Sequence, residues 1–207
     1  MAAFRHGTRA GAALIWAMRS ILAALMLFCA PACALAAVPV PHAAAEPQPK
    51  ELDVLFAALA KAQSPEDAKP IEDQILALFQ HSQSPSIDLL MARAGAALQA
   101  GDSDTALKLY DSITDIEPNY AEAWYEKAQI QAQANQDADA MISLQTAVML
   151  NPRHFAALAE LGAMLDEYGD KPAALKALRE ALKIDPNLDD VARQVRQLSK
   201  DVEGERI

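Results

Sequence analysis

Pro118, Pro152 and Pro186 stand 34 residues apart, and each closes a tripeptide of an aliphatic residue, an acid or amide, and proline: Ile116-Glu117-Pro118, Leu150-Asn151-Pro152, Ile184-Asp185-Pro186. A fixed period of this length means one small unit copied in tandem, and it dictates the fold before any other feature is weighed. Other positions keep the same step. Small residues recur at Ala94, Ala128 and Gly162, and again at Ala106, Ala140 and Ala174. Within the last unit, Leu158, Leu161 and Leu165 and then Leu175, Leu178 and Leu182 are spaced by three and four, which is one apolar stripe on each of two helices. Gly101-Asp102, Asn135-Gln136 and Gly169-Asp170 separate the two helices of each unit, since Gly and Asn accept the left-handed turn that ends a helix. Pro172 falls in a first helical turn, where its missing N–H is harmless, and the three periodic prolines close each second helix. No unit can bury its stripe alone, so neighbours must stack.

The run Leu158-x2-Leu161-Gly162-x2-Leu165, then Ala174-x3-Leu178-x2-Ala181 and Pro186, resembles the tetratricopeptide repeat (TPR) family. Its counterparts are Trp124, Ala128, Gln131, Ala140, Leu144, Ala147 and Pro152, and before them Leu90, Ala94, Ala97, Ala106, Tyr110, Ile113 and Pro118. Arg93 and Lys127 depart from the pattern at a usually apolar place, and Gln131 stands where an aromatic is usual. The resemblance implies an all-α chain, an α-solenoid of helix-turn-helix repeats at 87–120, 121–154 and 155–188. A helix over 188–199, with Val191, Val195 and Leu198 on one side and charges on the other, reads as the C-terminal cap. Upstream, Leu52-x2-Leu55-Phe56-x2-Leu59 and Ile71-x3-Ile75-x2-Leu78 form a degenerate helix pair at 51–82, expected to cover the N-terminal end of the array. Ser64-Pro65-Glu66-Asp67 has capping-box spacing between them, and Pro70 is expected to kink or delay the second helix. The TPR domain therefore covers 51–200, with a tail at 201–207.

The first 45 residues hold Arg5, Arg9 and Arg19 and no acid; the first acid is Glu46. An apolar run follows Arg19 and ends in Ala34-Leu35-Ala36, the layout of a secretory signal peptide at 1–36 with a cut after Ala36. Two competing readings stay open: an uncleaved anchor over Ser20 to Val38, and a true start at Met18. Cys33 lacks the leucine expected before a lipidated cysteine. Pro39, Pro41, Pro47 and Pro49 make 37–50 an extended linker. The expected location is accordingly the periplasm or cell envelope, with an inner-membrane anchor if the leader is retained.

Chemistry is constrained mainly by what the sequence omits. Cys29 and Cys33 are the only cysteines, and both lie in the leader. His42, His81 and His154 stand apart from any second ligand at metal spacing. There is no phosphate loop or nucleophile elbow. Asp166-Glu167 and Asp170 sit around a helix end, where solvated acids are ordinary. No cofactor and no metal is expected, and the reading is non-enzymatic. After Ala36 the chain carries 15 basic and 28 acidic side chains, a net charge of −13, which argues against nucleic acid. Residues 87–170 alone hold 14 acids against Arg93, Lys108, Lys127 and Arg153. A protein or peptide partner, basic or neutral, is expected, with attraction that weakens in salt.

In TPR arrays the first helix of each unit lines a concave groove. The resemblance implies that Asp88, Met91, Gly95, Leu98 and Gln99 line it, with Glu122, Tyr125, Gln129, Ala132 and Gln133 in the second unit. In the third these are Ala156, Ala159, Ala163, Asp166 and Glu167. Met91, Leu98 and the alanines could equally pack between helices. The Lys/Asn/Arg clamp for a C-terminal carboxylate is absent at these places. The expected function is an exported adaptor or scaffold that binds a protein segment in the groove. The alternative is a membrane-tethered structural or envelope-assembly component acting by self-association.

Overall fold

The computed structural model of the protein describes residues 49–204. The leader at 1–36, the linker as far as residue 48 and the last three residues of the tail lie outside them. Among the described residues every regular element is an α-helix: α1 (Pro49–Leu59), α2 (Pro65–Phe79), α3 (Pro85–Gln99), α4 (Ser103–Ile116), α5 (Ala121–Gln133), α6 (Asp137–Leu150), α7 (Phe155–Glu167), α8 (Lys171–Ile184) and α9 (Asp189–Glu203).

Helices α3–α8 are three repeats, and each turn within them follows from its sequence. Gly101, Asn135 and Gly169 all have positive φ, at 77°, 57° and 86°. Each lets the next N–H reach back across the turn: Asp102 to Ala97, Gln136 to Gln131 and Asp170 to Leu165, at 2.8–2.9 Å. Asp102 and Asp170 then cap the following helix by accepting from Thr105 and Ala173. Gly162 answers to a close approach: a Cβ there would lie 2.6 Å from Leu178 Cγ and Cδ2. Ala106, Ala140 and Ala174, on the facing helices, are fully buried.

The cores join each unit to the next. Ile87, Met91, Tyr110 and Ile113 of the first pack with Ala123 and Ile130 of the second. Tyr125, Leu144 and Ala147 of the second pack with Ala157 and Leu161 of the third. Leu175 and Leu178 pack with Val191 and Leu198 of α9. Lys127, at the place where the pattern favours an apolar residue, is accommodated by an ion pair to Asp111 at 2.8 Å and by the Trp124 ring beneath its ammonium. Helix α9 runs to Glu203, longer than the 188–199 expected, because Arg179 pairs with Glu203 and Lys171 with Asp201 across to α8.

Two features of the N-terminal pair differ from expectation. Helix α2 begins at Pro65, with Ser64 accepting from Asp67, and runs through Pro70 without delay. Pro70, the sixth residue of the helix, forfeits its bond to the Glu66 carbonyl, and the helix continues past it to Phe79. The pair also takes another place than the end of the array. No side chain of α1 or α2 enters the core of the first repeat. Phe56, Leu59, Ala68 and Ile75 instead pack with Phe155, and Ala156, Ile184 and Leu188 flank them. The turn at 80–84 redirects the chain: Ser82 N–H donates to Asp88 and Ser82 Oγ donates to the Ser84 carbonyl.

Candidate groove and its buried network

The first helix of each repeat carries an equivalent residue in its first turn: Asp88, Glu122 and Ala156, in steps of 34. The α1–α2 pair and the turn that follows it meet all three. Ser82, just past α2, donates to Asp88 Oδ1 at 2.7 Å. Phe79 and Phe56 share a cleft with Glu122, Tyr120 and Arg153. Ala156 packs on the Phe56–Ile75 core. One edge of the groove is thus filled by the chain itself.

Beneath that contact lies a polar network. His154 is fully buried, and its ring lies between Phe79 (centroids 5.1 Å apart) and Tyr125 (4.4 Å). Its Nδ1 accepts from Ala157 N–H at 3.2 Å, capping α7, so Nε2 carries the proton and faces Glu122 Oε2 at 3.1 Å. That tautomer is assigned from the two hydrogen bonds. Tyr125 donates its hydroxyl to Glu160 at 2.8 Å. Burial first, and then the charge of Glu160, raises the Tyr125 phenol above its ordinary range. Burial likewise raises the Glu160 carboxyl, partly offset by the Tyr125 bond.

Glu126 completes the cluster. Burial, followed by the charges of Glu122 and Glu160, pushes its carboxyl up to about 7. It makes no hydrogen bond or ion pair among the described residues, and it lines a cavity of about 490 Å³. The other walls come from Asp88, Met91, Gly95, Leu98, Gln99 and Tyr110, and from Ala77, Gln80 and His81 at the end of α2.

The ten residues singled out in the sequence therefore divide. Asp88, Met91, Leu98 and Gln99 are gathered around one open cavity, although Met91 is also part of the first core. Glu122 and Tyr125 are buried, 2% and 8% exposed, and serve the internal network. Gln129 is half-buried and Gln133 exposed on α5; Asp166 is half-buried and Glu167 exposed on α7, away from the cavity walls. Sequence reasoning missed Glu126 and Glu160. They are themselves 34 apart, so the period held the signal, but their place on the helix is not one the family pattern marks for the groove. Among the described residues no group of three or more His, Cys, Asp or Glu is placed to hold a metal ion, and no helix is long and apolar enough to cross a membrane.

Comparison with known proteins agrees with this architecture. A tetratricopeptide repeat family model matches residues 97–165. A TPR repeat-containing protein of Rhizobium etli is 31% identical over 163 residues, covering 78% of this chain and 80% of that protein. The fold is similar to that of MamA (TM-score 0.53, 18% identity, 67% of this chain and 83% of that one). It is similar also to the first TPR of Spaghetti (RPAP3) bound to an HSP90 peptide (TM-score 0.52, 20% identity, 56% and 93%). A third is the Yersinia enterocolitica type III secretion chaperone SycD in complex with a peptide of the translocator YopD (TM-score 0.51, 15% identity, 57% and 95%).

Proposed function

The chain belongs to the tetratricopeptide repeat family, and on that premise we propose that it is an exported, non-catalytic adaptor that holds a segment of another protein in its groove. The family and fold are typically those of scaffolds for protein–protein contact. Two proteins of similar fold hold peptides, one from HSP90 and one from YopD. Export is supported by the arginines ahead of the apolar run and by Ala34-Leu35-Ala36.

The observation that carries the reading is the cavity between the first repeat and the end of α2. It combines an apolar floor from Met91 and Leu98 with the carboxylates of Asp88 and Glu126. Such a lining suits a basic or neutral segment with an aliphatic stem: the stem covers the floor and a cationic head meets the acids. A set of peptides equal in length and graded in charge, titrated against the full chain, tests this. Affinity should rise with positive charge, fall with added salt, and drop for Gln99→Lys and Glu126→Gln. Equal binding of acidic and basic peptides, or binding untouched by both substitutions, would overturn the groove assignment.

A further inference from the structure

Asp185 precedes the last periodic proline, and it differs from its two counterparts. Glu117 is exposed and Asn151 half-buried, whereas Asp185 is fully buried. The cover comes from the N-terminal pair. Ile184 and Leu188 flank the core of α1 and α2, and Asn187 Nδ2 donates to the Ala62 carbonyl at 3.3 Å. One oxygen of Asp185 is satisfied, since Oδ1 accepts from Asn187 N–H at 2.9 Å. The other, Oδ2, is buried and meets no N–H or O–H donor. A buried acceptor without a donor is rare and calls for an explanation.

The group facing Asp185 is the carboxyl of Glu72 on α2, whose side chain is 13% exposed. Two ionised carboxylates cannot bond one another; a single proton between them supplies the missing donor. The other charges around Glu72 are on its own helix: Lys69, with Nζ 3.8 Å from Oε2, and Asp73, which itself holds Lys69 at 2.7 Å. Burial, then the bond to Asp185 and its charge, pushes the Glu72 carboxyl up to about 7, against the weaker opposing pull of Lys69.

We propose that the α1–α2 pair is a pH-released cover on the groove, closed while the Glu72 carboxyl holds a proton against Asp185 and loosened when Glu72 loses it. The sign follows from the raised carboxyl. Docking is strongest below the ordinary range of a glutamate, near 4.5, and weakens as pH rises through about 7. Helix α2 spans 15 residues, about 22 Å, and its contacts run from Asp185 through Phe155 and His154 to Tyr120, with Ser82 on Asp88 just beyond. Freeing its Asp185 end would open the groove starts of the second and third repeats to a partner. That consequence for binding rests on the function proposed above; the cover itself does not.

Amide hydrogen exchange of the full chain, without any partner, separates the two. With rates corrected for intrinsic exchange and referred to residues 171–184, protection over 65–79 should be about tenfold lower at about pH 8 than at about pH 6. Glu72→Gln keeps a neutral donor for Asp185 and should hold the high protection at both pH values. Glu66→Gln, exposed on the same helix and not among the charges around Glu72, should keep the wild-type response. If Glu72→Gln lost protection in 171–184 as well, Asp185→Asn would take its place under the same expectation. Equal protection of the wild-type chain at the two pH values would overturn the proposal, as would a Glu72→Gln or Asp185→Asn chain that still opens. Failure of every peptide to bind, with the exchange response intact, would instead count against the adaptor reading alone.

Discussion

The repeats over 85–184 and the pair over 49–79 are both built of antiparallel helices, yet they are held by different forces. Each repeat meets the next through small and aliphatic side chains at fixed places, such as Ile113 with Ala123 and Ala147 with Leu161. Those contacts join neighbours in sequence, so the ordering entropy is modest and each unit supports the next. The N-terminal pair crosses to residues about a hundred positions away. It is held there by Phe56 and Ile75 in an apolar socket, by Arg153 paired with Asp53, and by the contact of Glu72 with Asp185. Cores shared between successive units resist change together, whereas a pair docked from outside the period can be released alone.

Substitutions on the two sides should therefore fail differently. Leu178→Ala empties a fully buried site between α7 and α8 and should cost roughly 4 kcal/mol, lowering the urea midpoint of the whole array. Sparing of α5–α8 in that unfolding would show the repeats to be less cooperative than their shared cores imply. Phe56→Ala removes a ring that is 8% exposed and lies under the Arg153 guanidinium at 3.8 Å. It should weaken docking of the pair by roughly 3 kcal/mol, raising amide exchange over 51–79 while the urea transition of the repeats stays put. A matching collapse of the repeats would erase the distinction. The smallest effect belongs to Asp53→Ala: the ion pair with Arg153 is about half exposed, so calorimetry should find a change below about 1 kcal/mol, shrinking further in salt.

The periodic part of the molecule was legible because its determinants are local. The turns at Gly101, Asn135 and Gly169, the small residues at helix contacts and the first-turn proline at 172 all occur where the sequence places them. The surroundings of the candidate groove residues are not local in this way. Asp88, Met91, Leu98 and Gln99 do line one cavity, but Glu122 and Tyr125 were read as facing a partner and instead face His154 and Glu160. The family register gives the direction of a side chain along its helix. It carries no information on what else in the chain has come to lie across it.

What the sequence determined unaided was a stack of helix pairs with its acids gathered at 87–170, because a 34-residue period couples each stripe only to its neighbours. What only the tertiary structure decided was where the odd pair goes. Nothing within 51–82 distinguishes an end cover from a cover on the groove. Phe56 and Phe79 find Arg153, His154 and Phe155 only once the repeats have stacked and set those side chains along one edge. Burial of Asp185 and the raised carboxyl of Glu72 follow from that docking, since a carboxylate loses its water only when another element closes over it.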